Sequence, residues 1–303
     1  MLRRKDIISK PGESNNMLAD LGLLYCALFW GVSFPVMKVL VSYYSPCWLL
    51  FLRFSAGALL IYIFFHKRIN DSFMKVFKGG FIIGALLFLA IGTQTVGLNY
   101  IGGGRSAFIS AIYVLLVPLI IWVIKKKFPG WVTLFAACLC VMGMYFLAGD
   151  EMSGGINRGD VLTIICALSF AVQIIAISHY TSDSDPIVLS FIEFLVLSVM
   201  AFASSLIFES QAELINMHTL YGLLFMITFC TFGCYMIQIC AQKYAKPSHA
   251  SIIMSLESVF GLLSSVVFLN ESVSFHMALG CALIFSAVMI AELEPLFNHK
   301  NRG

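Results

Sequence analysis

The chain has 303 residues, 60% of them hydrophobic and only 12% charged, with mean hydropathy +0.91. No soluble globular domain needs that much apolar surface, so the composition excludes one. The net charge of +3 names no partner, and the basic clusters are short and free of interleaved aromatics, which leaves nucleic-acid binding without support.

Residues 1–17 form a polar, basic tail. The apolar run that follows starts too late and continues too long for a cleaved signal peptide, so it is the first span. Ten apolar runs occur in order, this one included: 18–40, 46–65, 79–99, 104–124, 131–148, 159–179, 186–208, 219–241, 249–268 and 275–293. Runs of about 18–23 residues can each cross a hydrocarbon core of about 30 Å. Residues 294–303 form a second polar tail.

Lys and Arg placement orients the spans. Arg3, Arg4, Lys5, Lys10, Lys67, Arg68, Lys75, Lys78, Lys125, Lys126, Lys127, Lys243, Lys246, Lys300 and Arg302 all fall on one side if the spans alternate. The other side receives Lys38, Arg105 and Arg158, with Asp150, Glu151, Glu209, Glu213 and Glu271. Both termini are therefore expected in the cytoplasm, and the chain in the cytoplasmic (inner) membrane. The loop carrying Asp183 and Asp185 has no Lys or Arg and adds nothing to this assignment.

Residues 20–146 and 160–290 lie over one another at an offset of about 140, drifting to about 144. Asp20 falls on Asp160, Cys26 on Cys166, Pro46 on Pro186, Phe54 on Phe194, Gln94 on Gln238 and Tyr100 on Tyr244. An odd number of spans per half sends the halves across the bilayer in opposite directions. The expected fold is all-α and integral to the membrane. Its ten transmembrane helices form two inverted five-helix repeats, 18–148 and 159–293, around a central cavity. An external linker, 149–158, joins them.

Catalytic signals are missing. No phosphate-binding loop is present, and Gly102-Gly103-Gly104-Arg105-Ser106 reads as a tight turn. No zinc-protease or serine-hydrolase spacing occurs. Nine cysteines lie in or beside apolar spans, which is not a disulfide framework. Cys230 and Cys234 share a helix face, but no His or carboxylate is near in sequence, so small buried residues are the better reading than a metal site. No enzyme activity, cofactor or metal is expected.

Polar residues inside the spans carry the functional signal. A charge at mid-helix costs about 2.5–3.5 kcal/mol even on a lenient scale. Arg53 and Glu193 are repeat equivalents of opposite charge, each about 12 Å from its own membrane face. Glu257 lies midway along the ninth span, opposite Tyr113 in the repeat. Arg53 can neutralise one carboxylate; the other is then favoured in its neutral form and could carry a proton, or serve only to hold helices together. Gln94 and Gln238 are matched amides among small residues, suited to interhelical hydrogen bonds or to a cavity wall. Trp30 sits mid-span beside Gly31 and Pro35, away from the interfacial belts where Trp is common, though core packing also suits it. His179 and His249 at span ends are expected to be solvated.

Several stretches resemble the EamA type of the drug/metabolite transporter superfamily. Phe29-Trp30-Gly31-Val32-Ser33-Phe34 through Lys38 looks like its W-G-x-x-F…K opening, and Arg53-Phe54 is similar to its R-F pair. Ala107 through Pro118 looks like its fourth-helix signature. Leu256-Glu257-Ser258-Val259-Phe260 and Leu269-Asn270-Glu271-Ser272 look like L-E-P-V-F…L-G-E, with Ser258 for Pro and Asn270 for Gly. The resemblance spans nearly the whole chain. It implies a basket of helices around a cavity, with the fifth and tenth helices peripheral, and movement of small metabolites without ATP.

The expected function is secondary transport of small polar metabolites such as amino acids, by export. An importer of a nucleotide-like or vitamin-like metabolite, a channel, and a lipid scramblase or accessory subunit are the alternatives. Trp30, Arg53, Gln94, Tyr113, Gln238 and Glu257 are the candidate substrate contacts; Arg53, Glu193 and Glu257 are the candidate proton or ion-pair residues. The expected partners are a small-molecule substrate, the lipid bilayer and a proton or counter-substrate, for a monomer or homodimer.

Overall fold

The structure, a computed structural model, describes residues 13–97, 99–101, 103–148, 156–209, 217–269 and 274–300. The tail 1–12, most of the linker, the acidic residues Asp150, Glu151, Glu213 and Glu271, and Asn270 of the ninth-helix signature lie outside these residues. Every regular element among the described residues is helical. In order these are α1 Glu13–Leu40, α2 Pro46–Gly97, α3 Gly103–Ala111, α4 Tyr113–Lys125, α5 Trp131–Ala148, α6 Arg158–Tyr180, α7 Pro186–Phe208, α8 Leu220–Phe225, a π-helical stretch Met226–Gly233, α9 Cys234–Gln242, α10 Pro247–Met254, α11 Glu257–Leu269 and α12 Phe275–Lys300.

Seven helical stretches among the described residues are long and apolar enough to cross a membrane, and a shorter apolar one, Phe275–Ala291, follows. One of the seven, α2, has 52 residues, enough for two crossings of a hydrocarbon core. It breaks at Phe65, where φ is −129° and ψ 18°. The second and third expected spans thus lie within one helical run, and the basic segment between them, carrying Lys67, Arg68, Lys75 and Lys78, is helical. The chain folds back near that break: Gly57 packs against Phe194 and Gly84 against Glu193 O, so residues on both sides of Phe65 meet the same turn of α7.

Local signals set several boundaries. Asn157 caps α6 by accepting from the backbone N–H groups of Gly159 and Asp160, while Asp160 Oδ2 accepts from the Asn157 N–H at 2.7 Å. This reciprocal pair satisfies donors that a helix start leaves open. Asp185 caps α7 at the Ile187 N–H, with Pro186 in the first turn where its missing donor is harmless.

Residues 46–65 of α2, the repeat equivalent of α7, pack antiparallel to it. At one end Glu209, just after α7, accepts from the Cys47 and Trp48 N–H groups at 2.6 and 3.0 Å and so caps α2. At the other, Arg68 of α2 pairs with Asp185 before α7 at 2.7 Å. Between them, Phe51 meets Phe202, Phe54 meets Phe194, and Tyr62 meets Phe191. α5 and α12 also run antiparallel: a Cβ on Gly143 would lie 2.7 Å from Gly280 O, and one on Gly280 2.6 Å from Gly143 O. Such approach is open only to glycine.

The remaining helix contacts come in repeat-related sets. α1 packs on α11 and α9, as α6 packs on α4 and α2. Three apolar clusters result, and Trp30 packs against all three. The outside is ringed by exposed Leu21, Leu28, Leu59, Phe64, Phe202 and Leu206 among others, an apolar belt suited to lipid.

Candidate functional site

Two backbone irregularities shape the middle of the molecule. In α1, Pro35 has no N–H to offer Gly31 O four residues earlier. Ser264 Oγ of α11 comes within 3.3 Å of that oxygen, sharing its one hydrogen with Gly261 O at 2.8 Å. A Cβ on Gly31 would lie 2.5 Å from Phe260 Cβ and 2.6 Å from Glu257 O, so the glycine admits α11 against α1 beside Trp30. The second irregularity is the π-helical stretch Met226–Gly233. Its wide turns leave carbonyls off the ordinary ladder, and Trp30 Nε1 donates to Cys230 O at 3.1 Å.

An aromatic group surrounds that contact. Trp30 meets Tyr235 at 5.0 Å between ring centroids, Tyr235 meets Phe54 at 5.4 Å, and Phe54 meets Phe194 edge-on at 5.2 Å. Arg53 lies under this group, 5% exposed. Its Nε donates to Thr231 Oγ1 at 3.2 Å, its Nη1 approaches Met37 Sδ at 3.7 Å, and its charge sits 5.7 Å from the centre of the Phe54 ring. Among the described residues no carboxylate pairs with it. The sequence offers Glu193 or Glu257 as its partner, and the structure joins it to neither.

Glu193 is fully buried and bonded to Gln173 of α6, whose Nε2 donates to Oε1 at 3.0 Å. Glu257 is half-buried and opens α11, directly after a break at residues 255–256 that occurs without the usual proline. Its repeat partner Tyr113 opens α4 after a matching irregularity at Ile112. Tyr113 meets Phe170 at 6.0 Å. Tyr235 meets Phe194, the neighbour of Glu193, edge-on at 6.2 Å.

The matched amides differ. Gln238 is buried, with its Oε1 unpartnered, whereas Gln94 is half-buried. No hydrogen bond among the described residues joins either to the other candidates. Trp30, Tyr235, Phe54 and Phe194 form a continuous chain of four rings. Two clefts open elsewhere: one of about 400 Å³ beside Arg68, Asp183, Asp185 and Lys243, the other of about 430 Å³ beside Asp20, Leu24, Leu256 and Phe285. Trp30, Arg53, Tyr113 and Glu257 line neither.

Tyr235, Thr231 and Gln173 are central yet were not singled out from the sequence. Tyr235 lies three residues before Gln238 on the same face, which was the available signal. The thiols of Cys26, Cys230 and Cys234 lie near backbone carbonyls between α1 and the α9 region, and all nine cysteines are free. His249, expected in solvent, instead contacts Asp20 of α1 at 3.1 Å.

Both halves match one family, the EamA-like transporter family, over residues 17–149 and 157–293. An uncharacterized transporter of Archaeoglobus fulgidus is 37% identical over 278 residues, covering 92% of this chain and 87% of its own. The uncharacterized transporter YvbV of Bacillus subtilis is 22% identical, with 90% of each chain covered. A solved crystal structure shares the fold at a TM-score of 0.73 and 16% identity, covering 91% of this chain and 97% of that one. With its apolar helices and its paired matches, this multi-pass membrane protein belongs to the EamA-like transporter family.

Proposed function

We propose that the protein is a secondary transporter that exports small carboxylate-bearing metabolites, amino acids or close relatives, by alternating access. Arg53 carries this reading. A guanidinium held in the apolar middle by one hydroxyl, one thioether and one ring keeps unspent capacity for a carboxylate. Trp30 and Tyr235 beside it offer an apolar face to the rest of the solute, with Tyr113 and Glu257 opposite for an ammonium group. Gln94 and Gln238 become contacts when the halves move.

The machinery is read as ten spans in two inverted five-helix halves, with both termini in the cytoplasm and the chain in the inner membrane. The antiparallel run of α2 against α7, equivalent helices of the two halves, supports inversion. So do the reciprocal helix contacts, which are what a two-fold relation produces.

The test is efflux of a mixed pool of radiolabelled amino acids from proteoliposomes, with Arg53→Ala and Glu257→Gln at matched protein amounts. Saturable efflux that both variants lower is the expected result, with counterflow separating a carrier from a channel. Unchanged rates in both variants would discard the site.

A further inference from the structure

The contact between Glu193 and Gln173 holds two buried oxygens that one proton would satisfy. Glu193 is 0% and Gln173 1% exposed. One hydrogen bond joins them, Gln173 Nε2 to Glu193 Oε1 at 3.0 Å, while Glu193 Oε2 and Gln173 Oε1 have no partner. Both orphans are acceptors when the carboxyl is ionised, and turning the amide over does not help, because its oxygen still finds no donor. Placing a proton on Oε2 changes the count. The acid O–H then donates to Gln173 Oε1, and carboxamide and carboxylic acid close a ring of two hydrogen bonds. The terminal torsions of Glu and Gln are broad enough to bring the second pair together.

The surroundings favour this state. From α2, the close approach of Gly84 to Glu193 O seals the backbone side. Arg53, also on α2, is engaged by Thr231 and Met37. From α6 the facing group is Gln173, and from α9 it is Tyr235. Among the described residues no ion pair compensates an ionised Glu193. A route also leads outward along α9: Tyr235, Gln238 and Gln242 share a face at spacings of three and four. Gln238 keeps one unpartnered atom and Gln242 two, and both residues are buried. Unpartnered buried amides are the groups that internal water serves.

We propose that Glu193 is the proton-carrying carboxyl of this protein, that Gln173 holds its neutral form in a two-bond ring, and that protons reach it from the Lys243 face along Gln242, Gln238 and Tyr235. The step makes one O–H bond on Oε2 and breaks one in the hydronium that delivers it. The inference rests on the transport reading for its purpose but not for its chemistry.

Infrared spectra of the purified protein, titrated between about pH 5 and pH 9, test it. Glutamate labelled with carbon-13 in the side-chain carboxyl assigns bands within the native chain. A protonated-carboxyl stretch is expected that shifts with the label, is lost in Glu193→Gln, moves to higher frequency in Gln173→Leu and persists in Glu257→Gln. Glu193→Gln keeps an amide-to-amide ring and should fold. A native chain without a labelled band, or a band that survives Glu193→Gln, overturns the proposal. In vesicles loaded with a pH dye and given the mixed amino-acid pool, proton movement should accompany efflux and vanish in Glu193→Gln. Efflux without proton movement also overturns it. Absence of any efflux would condemn the substrate class above, while the infrared band still decides this site.

Discussion

Asp20 and Asp160 occupy matched places in the two halves, and each meets a base from the partly matched place in the opposite half. Asp160 takes Arg105 in a two-point pair at 2.6 and 2.8 Å, whereas Asp20 takes His249 at 3.1 Å. The offsets agree: 20 to 160 is 140, and 105 to 249 is 144. The first pair is closed off, with side chains 10% and 4% exposed, and the second is open to water at 21% and 26%. These equivalent latches between the two halves thus use different chemistry.

That difference in burial sets their worth. Asp160→Asn weakens the two-point pair with Arg105 and should cost about 1.5–3 kcal/mol. Asp20→Asn, in a screened pair, should cost no more than about 1 kcal/mol. Thermal unfolding in detergent separates them; equal losses would contradict the burial argument.

The Trp30 indole can be tested without emptying its place. Trp30→Phe keeps a ring against Tyr235 but leaves Cys230 O, in the π-helical stretch, without its donor. A loss of about 1–3 kcal/mol is expected, against about 3–5 kcal/mol for Trp30→Ala, which also opens a cavity. Unfolding midpoints of the two variants should fall in that order.

Gly31 makes a sharper prediction. An added methyl would sit 2.5 Å from Phe260 Cβ and 2.6 Å from Glu257 O, and a backbone oxygen cannot step aside as a side chain can. Gly31→Ala should cost about 1–3 kcal/mol by overpacking. Gly92→Ala, where the nearest atom is 3.8 Å away, serves as the control and should leave stability nearly unchanged.

What the sequence yields, and what it hides, follows from range. Apolar runs are local sums, so the apolar helices are legible in it. The match of Asp20 with Asp160 is legible too, because both are the same residue. Their partners are not, since Arg105 and His249 share a place but no side-chain chemistry. The π-helical stretch leaves no mark in an apolar segment where every period is apolar. Arg53 and Glu193 invite pairing by charge alone; only the packed chain shows that Thr231 and Gln173 reach them first. Tyr235 is central because helices from both halves converge on it, a property of no single stretch.

The two latches make a final prediction about movement. If the halves open alternately, tying either end shut must stop exchange, while a tie along helices that move together must not. In a chain freed of its nine cysteines, Asp20→Cys with His249→Cys ties one end through a short bifunctional thiol reagent, and Arg105→Cys with Asp160→Cys ties the other. Each should abolish efflux only after cross-linking, and a cleavable reagent should restore it. Phe51→Cys with Phe202→Cys, across the antiparallel α2 and α7 whose rings stand 4.9 Å apart, should tolerate the same treatment. Transport that continues with both ends tied would mean that the latches do not open and that the solute crosses elsewhere.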